Sequence, residues 1–211
     1  MDFIQQLDDL IDRYPRLEPL KSNIKQAYDI IVESFVKGGK LLIAGNGGSS
    51  ADAEHMVGEL MKSFVKKRKL PEEYIRELEK IDTEIAKYLS SRLQPGLPAI
   101  SLSGHASLNT ACINDINGEL TFVQQLYGYA KEDDVFLGIS TSGNAKNLLY
   151  AAVAAKAKKI KVIALTGGSG GRIKDFADVS IVVPETETYK IQELHMPVYH
   201  CLCLMIEDRF F

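Results

Sequence analysis

The chain has 211 residues, 45% of them hydrophobic, which is enough to bury a sizeable core as one domain. A net charge of -3 removes any general electrostatic reason to expect nucleic-acid binding. No run approaches the ~18 apolar residues of a membrane span, and the acidic, amphipathic start lacks the basic region of an export signal, so a cytoplasmic protein with no membrane partner is expected.

In chain order, Phe3, Ile4, Leu7, Leu10 and Ile11 share one helical face before a break at Pro15. A second helix over about 18–36 repeats the pattern with Ile24, Ala27, Ile30, Ile31 and Phe35, and Gly38-Gly39 stops it. Strand-like runs follow at Lys40–Ala44, Ala99–Leu102, Val135–Ser140, Lys161–Thr166 and Val179–Val183. Helical patterns occupy the gaps, including about 50–64, 144–157 and 188–209. Continuous apolar strands alternating with helices predict an α/β fold with a parallel sheet covered on both faces.

Two stretches interrupt this alternation. Lys62 to Lys69 is strongly basic, and its simplest reading is a solvated helix C-terminus whose cations complement the macrodipole. Beyond it, Pro71-Glu72-Glu73 starts a helix whose stripe is Tyr74, Leu78, Ile81, Ile85 and Leu89, and Gln94-Pro95-Gly96 ends it. This segment reads as an inserted helix packing on the body or on a partner subunit. Cys112, Cys201 and Cys203 are an odd set, and two of them share one apolar helix, so buried reduced thiols are expected rather than disulfides.

Ligands of open parallel sheets bind beyond the carboxyl ends of the strands. Three loops there have anion-binding composition: Gly45 to Ser50, Ser140 to Asn144, and Thr166 to Gly171. A single glycine-rich loop is weak, but two hydroxyl-bearing loops after strands of one sheet can close on one phosphate. Neither a dinucleotide fingerprint nor a P-loop is present, which favours a small phosphorylated metabolite over a nucleotide.

His55 and Glu59 stand four apart on a predicted helix, a spacing that suits two metal ligands, an acid–base pair or an ordinary surface contact. In the C-terminal helix, His195 and His200 are splayed by about 140° and do not share a site. Gln192 and His200 agree better in direction but lie about 12 Å apart along an ideal helix. Leu194, Val198, Leu202 and Met205 make the bland reading there a core or interface helix.

Several stretches together resemble the sugar-isomerase (SIS) domain family, and within it the bacterial phosphoheptose isomerases. They are Gly45-Asn46-Gly47-Gly48-Ser49, Asp52 to His55 with Glu59, Asn114-Asp115, Gly138 to Asn144, Val162 to Gly167, and Ile191 to His195 with His200. The resemblance runs from about residue 18 to the C-terminus and is interrupted over 66–94. It implies a flavodoxin-like, five-stranded sheet in a three-layer α/β/α sandwich. It also implies one SIS domain over 1–211, with oligomerisation helices in 1–37, and a homotetramer whose active sites lie at subunit boundaries.

The family further implies zinc held by His55, Glu59, Gln192 and His200, with proton transfer by Glu59 and His200. Substrate contacts fall to Asn46, Gly47, Gly48, Glu59, Asn114, Asp115, Ser140, Thr141, Ser142 and Gln192. The implied reaction interconverts D-sedoheptulose 7-phosphate and D-glycero-D-manno-heptose 7-phosphate through an enediol. The alternatives on the same fold are a non-enzymatic factor binding the replication initiator protein and a sugar-phosphate-sensing regulator. Retention of all four zinc positions favours the enzyme, and no helix-turn-helix segment supports a stand-alone regulator. Two positions depart from the family pattern: Ala145 replaces a serine, and Tyr189 replaces an aspartate three before Gln192. Both bear on which phosphosugar is used more than on the chemistry.

Overall fold

Five apolar runs form one all-parallel sheet in the order β2-β1-β3-β4-β5. Its strands are β1 (Leu41–Gly45), β2 (Ala99–Ser101), β3 (Val135–Ser140), β4 (Lys161–Gly167) and β5 (Val179–Val183). The structure is a computed structural model that describes residues 3–211, with side chains from Gln5 onward. The helices are α1 (Phe3–Arg13), α2 (Lys21–Val36), α3 (Gly48–Met61), α4 (Glu72–Ile81), α5 (Thr83–Arg92), α6 (Ala106–Asp115), α7 (Thr121–Tyr129), α8 (Lys146–Ala157) and α9 (Thr188–Phe210).

Successive strand residues point to opposite faces, which explains why uninterrupted apolar strands need helices on both sides. Leu41, Ile43, Leu137, Ile139, Ile163 and Leu165 pack with Leu7 and Leu10 of α1, Ile24 and Ile31 of α2, Met56 and Leu60 of α3, and Val198 and Leu202 of α9. On the other face, Leu42, Ala44, Phe136, Val162 and Ala164 pack with Phe122 and Leu126 of α7 and Leu148 and Ala152 of α8. Each such large side chain contributes roughly 1.5–3 kcal/mol by leaving water. The result is the expected three-layer sandwich. Of the face expected on α1, Leu7, Leu10 and Ile11 are buried. The side chains of Phe3 and Ile4 lie outside the described residues.

The segment expected to hold one inserted helix holds two. Asp82 takes an extended backbone (φ -158°, ψ 115°), which ends α4. Its Oδ1 accepts the Ile85 amide at 2.9 Å and so starts α5. The apolar stripe is largely left uncovered: Ile81 is 84% exposed and Ile85 57% exposed, while Leu78 and Leu89 are half-buried.

The basic run also behaves differently from a solvated helix end. Helix α3 stops at Met61, because Lys62 is extended (φ -138°, ψ 178°). Arg68 then folds back as a buried cap on α3, with its guanidinium donating to the main-chain oxygens of Leu60 at 2.7 Å and Glu59 at 3.0 Å. Its partner is Glu207 of α9, reached by Nε at 3.0 Å. The same carboxylate accepts the amides of Phe64, Val65 and Lys66 at 2.8–3.0 Å. Burial pushes Glu207 upward, but those amides and the Arg68 guanidinium outweigh it and hold the carboxyl below its ordinary range.

Helix α9 runs unbroken through Pro197. All three cysteines are free and buried, as expected, and burial raises Cys201 to about 12. Among the described residues, no helix is long and apolar enough to cross a membrane.

Candidate active site

Because β1 pairs with β3 while β2 lies on the other side of β1, the chain reverses its direction of winding between β1 and β3. In open sheets this switch point leaves a crevice at the strand ends. The loops after β1 and β3 are therefore neighbours. Asn46 and Asn147, the latter at the start of α8, join them by reciprocal amide bonds of 3.0 and 2.9 Å. Beside them lies a cavity of about 320 Å³ lined by Asn46, Gly47, Ser50, Ser103, Asn109 and Asn147, among others. That volume is at the lower end of small-ligand pockets.

Gly47 adopts a positive φ of 56°, which a side chain would strain, and it turns the chain directly into α3. Helix α3 then runs alongside α9 in the same direction. Its first residue, Gly48, is backed by the Gln192 amide, which a Cβ at Gly48 would approach to 2.5 Å. Two turns on, His55 meets His200 and Tyr199, with ring centroids 4.9 and 5.6 Å away, both edge-on. The long separation of Gln192 from His200 along α9 is thus matched by the separation of Gly48 from His55 along α3.

His55 Nε2 lies 3.3 Å from Glu59 Oε1, and Lys62 Nζ lies 3.3 Å from Glu59 Oε2. The carboxylate is thus held between an imidazole and an ammonium. His200 Nε2 is buried with no hydrogen-bond partner. Burial and the neighbouring His55 lower His200 from its ordinary range, so at neutral pH it is a neutral imidazole able to take a proton. His195 is wholly buried and pushed to about 4, apart from this cluster, in agreement with the splay predicted along the helix.

The other candidates are placed less closely. In the loop after β3, Ser140 is buried and its Oγ accepts the Gly143 amide at 3.1 Å. Ser142 is exposed, and its Oγ accepts the Asn144 amide at 3.2 Å. Thr141 is half-buried, and its main-chain oxygen accepts the Gly167 amide at 3.1 Å. Asn114 donates to Asp115 at 2.7 Å on the exposed end of α6, and neither residue lines the cavity. Sequence reasoning missed Asn147, Lys62 and Tyr199. Lys62 had a usable signal, standing three after Glu59, whereas the partners of Tyr199 lie on another helix and no spacing within α9 points to them.

Two imidazoles and a carboxylate, one imidazole nitrogen being buried and unpartnered, are a donor set that zinc favours. In this conformation the set is not closed. Among the described residues, no three His, Cys, Asp or Glu side chains converge closely enough to hold a metal, and no hydrogen bond joins Gln192 to His55, Glu59 or His200.

A flavodoxin-like sheet with a cavity at its switch point, and a carboxylate–imidazole pair further along the helix that leaves it, defines an α/β protein with the crevice such folds use for small ligands. Two profiles of the SIS domain family match the chain, over residues 2–93 and 108–205. The chain is 38% identical over 207 residues to a phosphoheptose isomerase of Leptospira biflexa, covering 98% of this chain and 94% of the relative. It is 39% identical to one from a Nitratiruptor species, with coverage of 92% and 89%. A solved phosphoheptose isomerase of Neisseria gonorrhoeae superposes with a TM-score of 0.74 at 31% identity, over 95% of this chain and 94% of that one. The chain belongs to the SIS domain family.

Proposed function

We propose that the chain is a phosphosugar aldose–ketose isomerase, interconverting D-sedoheptulose 7-phosphate and D-glycero-D-manno-heptose 7-phosphate. The observation that carries this reading is the Glu59 carboxylate beside His55, whose ring meets that of His200, in a chain whose full-length relatives are phosphoheptose isomerases.

Isomerisation removes a proton from C1 of the ketose, passes through an enediol and returns a proton to C2. Glu59 takes the carbon-bound proton, and His200, neutral and unpartnered at Nε2, serves the oxygens. The amides at Asn46, Gly47 and Gly48 approach the sugar, with Asn114, Asp115 and Gln192 as further contacts. Ser140, Thr141 and Ser142 hold the phosphate and fix the register of the chain of carbons. Lys62 reaches the other oxygen of the Glu59 carboxylate, Oε2, at 3.3 Å.

His55, Glu59, Gln192 and His200 would hold zinc, which when bound polarises the substrate carbonyl. The reading includes one SIS domain over 1–211, a homotetramer with sites at subunit boundaries, and a cytoplasmic location. What supports the tetramer is the family resemblance, together with apolar residues such as Ile81 and Ile85 that the single chain leaves exposed.

The test is turnover with metal removed and restored. Purified protein should carry about one zinc per chain. It should convert sedoheptulose 7-phosphate to the aldose, lose that activity to a chelator and regain it with zinc. Metal-free protein that is inert with zinc added would overturn the reading.

A further inference from the structure

Tyr199 is wholly buried on α9, yet its hydroxyl lies between two polar groups of α3. It donates to Asp52 Oδ1 at 3.2 Å and sits 3.1 Å from His55 Nδ1. A phenol has one proton and cannot donate twice. With that proton directed to Asp52, the hydroxyl can only accept from His55, and the imidazole proton must sit on Nδ1. Nε2 then carries a lone pair, and this is the atom that faces Glu59 Oε1 at 3.3 Å. Two acceptors at such a distance are reconciled by a proton or a cation placed between them.

We infer that Tyr199 and Asp52 are positioning residues that fix His55 with its proton on Nδ1 and its Nε2 lone pair turned to Glu59. The surroundings agree. His200 lies edge-on to both Tyr199 and His55, 4.9 Å from each, and leaves Nδ1 to the hydroxyl. Asp52 Oδ2 is buried with no hydrogen-bond partner, so the Tyr199 proton is what anchors that carboxylate. A phenylalanine would fill the same volume without burying a hydroxyl, which costs free energy unless it is bonded. The hydroxyl therefore serves orientation more than packing. Such outer partners set which imidazole nitrogen is free to bind a proton or a metal.

The inference deepens the isomerase reading and takes its consequence for catalysis from it, but its test needs no turnover. Imidazole nitrogen spectra of the full chain at about pH 9, above the ordinary range of imidazole titration, should show His55 protonated on Nδ1. Tyr199→Phe should give a mixture of the two tautomers and bind zinc about 10- to 100-fold more weakly. Asp52→Asn, whose amide donates to the hydroxyl, should turn the phenol proton toward Nδ1 and move the imidazole proton to Nε2. A wild-type protein with the proton on Nε2 overturns the inference, as does a Tyr199→Phe variant that keeps only the Nδ1–H form. If the predicted tautomers appear while no sugar phosphate is turned over, the isomerase reading fails and the hydrogen-bond chain stands.

Discussion

Gly48 is small because of what stands behind it. A Cβ there would come within 2.5 Å of Gln192 Nε2, the free end of a flexible side chain. At Gly45 the corresponding atom would meet the main-chain oxygen of Ser49 at 2.3 Å, which has no room to yield. Gly48→Ala should therefore fold with little loss of stability but push Gln192 from its place. We expect kcat/KM for the heptose phosphate to fall roughly tenfold or more, about 1.4 kcal/mol, with a thermal midpoint close to wild type. An unchanged kcat/KM would remove Gln192 from the site. At this scale the sequence was informative where helical spacing alone sets the contact. His55 and Glu59 meet because residues four apart share a face. The partners of Gln192 and Tyr199 come from another helix, and no spacing within α9 could disclose them.

Among elements, the pair α3 and α9 decides the site's geometry, and one buried ion pair fastens its far end. Arg68 and Glu207 are almost completely buried, and between them they bind two carbonyls of α3 and three loop amides. Removing one partner leaves the other charged and uncompensated, which costs about 3–5 kcal/mol. Glu207→Gln should lose that much stability at pH 7, as measured by urea denaturation. The sign of its pH dependence follows from the depressed carboxyl. A group lowered in the folded state contributes fully above its unfolded pKa, about 4.3, and loses that contribution as pH falls through the folded value. The gap between wild type and variant should therefore narrow below about pH 4. A gap independent of pH would mean that the carboxylate's charge is not what stabilises the strap.

The five strands were legible to within a residue or so because short apolar runs bounded by glycine, proline or aspartate have few other solutions. The break between α4 and α5 was not, since Asp82 interrupts a stripe whose period continues across it. The role of Arg68 was hidden for a similar reason. It sits in a run of cations that reads as surface, and only the fold brings Glu207 to it.

For the molecule as a whole, alternation of strands and helices was enough to predict a covered parallel sheet, but not the strand order. The order matters because it places the loops after β1 and β3 side by side, bringing the start of α3 to the crevice where a phosphosugar would lie. The central claim is that Glu59 moves a carbon-bound proton of that sugar. Its most direct test is to incubate sedoheptulose 7-phosphate with the zinc-loaded protein in deuterated water and follow the sugar by NMR. Wild type should form the aldose heptose 7-phosphate with deuterium at C2, and Glu59→Gln, folded and of unchanged assembly, should form essentially none. Equal turnover by the variant, or a wild-type protein that leaves the ketose untouched, would contradict the account.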